Sequence, residues 1–176
     1  ALVGDAAPDF LLLVGAHRVA GDDQDLGSLL ERLEKPCAVG GNIRRMVPRD
    51  HRLPLSPQED WRVIEFGLGL TDLVKRPTNS AADVRGDEFA AGRQVLADKI
   101  IRVQPLIVCF NGLTGYQQFF QEHTQPGRQT RCLHGALVYV LPSTSARNAA
   151  YSRHVVLEYC RDLCALRDEL RNLPAR

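Results

Sequence analysis

Residues Leu137 to Asn148 read LVYVLPSTSARN, and this stretch decides how the rest of the chain is to be folded. Five apolar residues followed by Pro142 predict a short buried strand that stops abruptly, because proline cannot donate to a β-ladder. Three hydroxyls follow, Ser143, Thr144 and Ser145, then the small Ala146 and the cationic Arg147, ahead of an amphipathic stretch. Hydroxyls and a guanidinium at the carboxyl end of a buried strand suit phosphate or sugar oxygens, since α/β sheets place their ligands there. The same residues would also serve an ordinary loop leading into a helix, with the hydroxyls as caps.

Two further apolar runs read as strands of the same kind, Asp9 to Gly15 (DFLLLVG) and Pro105 to Phe110 (PLIVCF). Continuous apolar runs are the mark of strands covered on both faces. Helical spacing joins Leu26, Leu29, Leu30 and Leu33 in residues 25–34, and Phe89, Leu96, Ile100 and Val103 in Gly86–Val103, where Asp87 is the expected cap. It also joins Tyr116, Phe119 and Phe120 in Leu113–His123, and Val156, Tyr159, Leu163, Leu166 and Leu170 in Tyr151–Leu173; Glu59–Phe66 is a shorter case. Residues 35–57 have no period. GLGL at 67–70 reads as a flexible turn, Thr71–Thr78 as a polar cluster that Pro77 terminates, and Gln125–Arg131 as a polar loop. Strands alternating with helices predict a three-layer α/β/α sandwich around a short, mostly parallel central sheet. Three strand ends, Gly15–Val19, Asn111–Leu113 and Ser143–Arg147, should then converge into one site.

A chain of 176 residues, 44% of them hydrophobic, is long enough for one substantial core, so residues 1–176 are expected to form a single domain. Twenty-two basic residues against 21 acidic leave a net charge of +1, so no global field draws the protein to nucleic acid and any such contact must be local. The five cysteines form no CxxC pair, which points to free core thiols in a reducing compartment rather than a disulfide framework or a metal site. Neither a metal nor a cofactor is expected. No stretch has the roughly 18 apolar residues of a membrane span, so the chain reads as soluble and intracellular, in a bacterial cytoplasm or a nucleus. A Walker A loop, a GxGxxG fingerprint and a GxSxG elbow are all missing from the sequence, which argues against common small-molecule α/β enzymes.

Four segments taken together resemble the mismatch-specific uracil and thymine DNA glycosylases of the uracil-DNA glycosylase superfamily. They are GLGLTDLVKRPT at 67–78, the helix around DEFAAGRQVLADKI, the strand and turn IVCFNG, and above all VLPSTSAR. The similarity runs from about Leu55 onward. It implies a monofunctional enzyme that extrudes uracil or thymine from G:U or G:T mispairs in double-stranded DNA and hydrolyses the bond from base to deoxyribose. By this resemblance PSTSAR is an insertion loop, in which Ser143 and Ser145 grip flanking phosphates, with Thr144 between them, while Ala146 and Arg147 enter the space left by the base. Gly15, Ala16, Thr71, Asp72 and Asn111 would line the base pocket, and Gly112 would approach the DNA backbone. No partner besides DNA is expected, and a monomer suffices.

One departure stands out. Relatives follow the first strand with G-x-N-P-G, whose Asn positions the attacking water, whereas this chain has Gly15, Ala16, His17, Arg18 and Val19. His17 at the Asn position is the candidate catalytic residue, since a neutral imidazole can orient or deprotonate water. Two other readings stand beside it: a structural histidine, and a mis-spliced or frame-shifted stretch across the atypical residues 16–54. Either predicts a protein that grips DNA with weak or absent catalysis.

Overall fold

The computed structural model describes residues 11–19, with backbone alone at 17–19, residues 67–145 and residues 148–172. Within them the strands are β1 (Leu11–Val19), β2 (Leu68–Thr78), β3 (Ile107–Asn111), β4 (Gly127–Leu133) and β5 (Ala136–Leu141). The helices are α1 (Gly86–Val103), α2 (Leu113–Phe120) and α3 (Arg153–Asn172), and a short 3-10 turn spans Ala81–Asp83. The expected helices at 25–34 and 59–66 and the aperiodic stretch at 35–57 lie outside the described residues.

The sheet runs in the order β2-β1-β3-β5-β4. Every pairing is parallel except that of β4 with β5. Alternation along the three central strands splits their side chains between two cores. Leu12, Val14, Val108, Phe110, Val138 and Val140 pack with Phe89, Leu96, Ile100 and Tyr116 from α1 and α2. On the other face Leu11, Ile107, Cys109, Tyr139 and Leu141 pack with Leu163 and Leu166 from α3. Burial on both faces is why these strands read as unbroken apolar runs. The α/β/α layering expected from the sequence is the observed one.

Several boundaries differ from the sequence reading, each for a local reason. Within GLGLTDLVKRPT, Leu68–Thr78 is an eleven-residue strand rather than a turn and a polar cluster. Pro77 is tolerated because β2 is an edge strand, where a missing N–H breaks no interior ladder. Gln125–Arg131 was expected to be a loop but mostly belongs to β4, the opposite edge, whose largely exposed side chains hide its strand character. It turns into β5 through His134 and Gly135, both at positive φ as a two-residue hairpin of this hand requires. Helix α1 is capped at Arg85, not Asp87: the Glu88 carboxylate accepts from the Arg85 backbone N–H at 3.0 Å. Helix α2 stops at Phe120 because Gln121 turns left-handed.

The first strand outruns its expected end at Gly15 and continues beside β2 as far as Val19 and Thr78, with a register shift between His17 and Arg18. A proline would have removed a ladder donor there and a glycine would have weakened the strand. Arg18 and Val19 do neither. Of the cysteines, Cys109 is the core thiol expected, and burial pushes its pKa up; Cys132 and Cys164 are exposed instead.

Helix α1 lies against the backbone of β2 at Gly92, where an added Cβ would fall 2.1 Å from the Leu73 carbonyl oxygen. That oxygen belongs to backbone and cannot swing aside. Gly92→Ala is therefore expected to destabilise the fold by about 1–3 kcal/mol or more, read as a lower urea midpoint at constant m-value. An unchanged midpoint would show that α1 does not pack this closely.

Candidate functional site

The chain passes from β1 to β2 on one side of it, while from β3 it passes to β4 and β5 on the other. Such a reversal opens a crevice at the carboxyl ends of the two strands between which it occurs. Pairing of β1 with β3 ends at Val14 and Phe110, and the crevice begins just beyond. It is a cleft of about 770 Å³, within the roughly 300–1,000 Å³ typical of small-ligand sites.

Four parallel strand ends supply its described walls. Gly15 and Ala16 come from β1; Asn79, Ser80 and Ala81 follow β2; Asn111 to Thr114 join β3 to α2; Ser143 to Ser145 and Asn148 follow β5. The convergence expected at the ends of β1, β3 and β5 is thus observed for Gly15, Ala16, Asn111, Gly112, Ser143, Thr144 and Ser145. Ala146, Arg147 and the His17 side chain lie outside the described residues. Thr71 and Asp72, expected in the pocket, do not line the cleft. Thr71 is buried and accepts from the ammonium groups of Lys75 and Lys99 at 3.1 Å each, on the α1 side of β2. Asp72 is the strand partner of Gly15.

The hydroxyl loop is held from within by two asparagines. Asn111 donates from Nδ2 to Thr144 Oγ1 at 2.9 Å, and its Oδ1 accepts from the Thr144 backbone N–H at 3.1 Å. Asn148 donates from Nδ2 to the Ser143 carbonyl at 2.7 Å, and its Oδ1 accepts from the backbone of Ala150 at 3.1 Å and Tyr151 at 3.3 Å. Its own N–H donates to the Ser145 carbonyl at 2.9 Å, joining the two residues that flank Ala146 and Arg147. Gly112 keeps the turn after β3 close to this loop: it has φ +94°, and a Cβ there would meet the Ser143 Cβ at 3.4 Å. Its N–H donates to the Leu141 carbonyl at 2.9 Å.

The opposite rim is braced differently. Ser80 and Asp83 form a reciprocal capping box around the 3-10 turn. Arg76 then ties that turn to α1, donating to the Asp83 carbonyl at 3.0 Å and to the Glu88 carboxylate at 2.7 and 2.9 Å. The Arg76 guanidinium, with help from the Arg85 N–H, holds the Glu88 carboxyl down at about 2, so this brace stays ionised at neutral pH. Asn79, Ser80, Ala81, Thr114 and Asn148 were not singled out in the sequence. The Ser80-x-x-Asp83 spacing was the one signal that marked part of this rim.

Among the described residues the polar lining is neutral, with hydroxyls, carboxamides and backbone beside the apolar Ala16, Ala81 and Leu113, and no carboxylate, thiol or ammonium. Also among the described residues, no group of three or more His, Cys, Asp or Glu side chains is placed to hold a metal ion. No described helix is long and apolar enough to cross a membrane. Such a lining binds by hydrogen bonding, to the polar edge of a planar base or to phosphate oxygens, and can stabilise a departing anion with fixed dipoles. The family model of the uracil DNA glycosylase superfamily matches residues 24–170.

The chain belongs to the uracil DNA glycosylase superfamily. Its enzymes act on DNA, as hydrolases of DNA repair that release a base. The α/β fold with its mostly parallel five-stranded sheet agrees with the superfamily fold. The matched range begins beyond β1 and takes in most of the atypical stretch at 16–54.

Removing the Asn148 side chain tests how the superfamily's carboxyl-end loop is held here. Asn148→Ala is expected to speed amide exchange at Ala150 and Tyr151 at least about tenfold, the loss of roughly 1.4 kcal/mol of local protection, with strand amides of β3 unchanged. Equal exchange in both proteins would mean that the loop is shaped by something other than Asn148.

Proposed function

We propose that this glycosylase excises uracil or thymine from G:U and G:T mispairs in double-stranded DNA, acting as a monofunctional monomeric enzyme of base excision repair. Its place would be wherever the DNA lies, in a bacterial cytoplasm or a nucleus. The reading is carried by one observation: the hydroxyl-rich loop after β5 sits on the cleft at the carboxyl ends of β1 and β3, pinned by Asn111 and Asn148. A base swung out of the duplex would enter the cleft while the loop takes the flanking phosphates. The reaction asks little covalent chemistry of the protein. The bond to the sugar breaks toward an oxocarbenium-like species, and the base leaves as an anion stabilised by neutral donors such as those lining this cleft.

A second reading has its own support. β1 continues as a strand through His17, Arg18 and Val19, where relatives bear the motif that positions water. That favours a protein that binds mispaired DNA and releases little or no base. In this reading His17 is structural; in the first it takes the water-positioning role.

End-labelled duplexes carrying G:U, G:T or A:U, incubated with the protein and then cleaved with alkali, separate the two. The enzyme reading expects strand scission at G:U and G:T above A:U. Salt-sensitive retention of the G:U duplex without scission would establish the silent binder instead. Neither scission nor retention would remove both.

A further inference from the structure

The hydrogen bonds inside the hydroxyl loop fix the direction in which one of its hydrogens points. A backbone N–H can only donate, so the atom of Asn111 that faces the Thr144 N–H at 3.1 Å must be its carbonyl oxygen. The other end of the same amide is then NH2, and it lies 2.9 Å from Thr144 Oγ1. Thr144 Oγ1 therefore accepts from Asn111, and its own hydrogen is left for another partner. Among the described residues no acceptor takes that hydrogen, and Thr144 is exposed on the cleft rim. Ser143 repeats the polarity, its Oγ accepting from the Ser145 N–H at 3.3 Å.

We infer that Asn111 is a positioning residue that makes the Thr144 hydroxyl a dedicated donor to a non-bridging phosphate oxygen of the bound duplex. The inference rests on the proposed reading of the cleft as a DNA site, and it assigns a ligand to Thr144 beyond the contacts of its serine neighbours. A phosphate oxygen only accepts, so a hydroxyl whose hydrogen is already turned outward meets it without rearrangement. Asn111, both ends of whose amide are engaged with Thr144, acts on the phosphate through that residue.

The test uses a G:U duplex whose deoxyuridine carries a 2′-fluorine, which slows loss of the base, with binding followed by fluorescence anisotropy at several salt concentrations. Thr144→Val keeps the backbone N–H bond and the branched shape but removes the donor; it is expected to weaken binding about tenfold, the scale of one hydrogen bond to a charged group. The salt slope should not change, because a neutral donor displaces no counterion. A loop that merely lost its shape would lose its cationic contacts too and flatten the slope. Thr144→Ser should restore wild-type affinity. Asn111→Asp keeps an acceptor for the N–H but turns the Thr144 hydrogen inward to a carboxylate, so it should weaken binding at least about fivefold more in the wild-type background than in Thr144→Val. The added charge is common to both backgrounds and cancels in that comparison. Additive effects, or a Thr144→Val protein that binds like wild type, would overturn the inference and leave the DNA reading intact. A wild-type protein that retains no duplex would overturn both.

Discussion

The pairing of β3 with β5 is the constraint on which the site depends. It runs in parallel from Ile107 opposite Leu137 to Asn111 opposite Leu141, so the two strands stop at the same level. Pro142 then takes the chain out of the sheet, and Thr144 comes back within reach of the Asn111 side chain. A slip of one residue would turn Phe110 and Val140 to the wrong face of a sheet that is buried on both sides. The same apolar alternation that builds the two cores therefore sets the geometry of the loop.

Rigidity is distributed in a corresponding way. Phe110 anchors α2 through ring contacts with Tyr116, Phe119 and Phe120, at centroid distances of 5.7 to 5.8 Å. That fixes the start of α2 on the cleft floor beside Gly112. Tyr116 donates to Glu122, and burial together with that carboxylate pushes its hydroxyl up to about 12, so it remains a neutral donor at any physiological pH. Arg131 on β4 completes this corner, 2.8 Å from Glu122 and 4.3 Å above the Phe120 ring. Polar bonds hold the rims, whereas ring packing holds the floor.

The central strands and the long helices were legible in the sequence because burial on one or both faces leaves a period. The edge strands were not, since β2 carries a glycine and a proline and β4 mostly exposes its side chains, so neither writes a clean alternation. Gly15, Asn111 and Ser143 to Ser145 were found because parallel sheets send their carboxyl ends to one place. Thr71 and Asp72 were expected in the pocket by resemblance to the family; as part of β2 their side chains alternate, and Thr71 turns to Lys75 and Lys99. Asn148 lay hidden because a carboxamide that ties a loop to its own backbone looks like any surface asparagine until the fold is known. His17 shows the limit from the other side: its departure from the family motif was plain in the sequence, and the continuation of β1 past it is the structural counterpart.

The central claim is that DNA seats on the carboxyl ends of the parallel strands. Amide chemical-shift mapping during titration with a G:U duplex addresses it most directly. The account predicts shifts concentrated at Asn79–Ala81, Asn111–Thr114 and Ser143–Ser145, with the His134–Gly135 turn at the other end of the sheet unmoved. Shifts centred on that hairpin, or on the exposed face of α3, would contradict it.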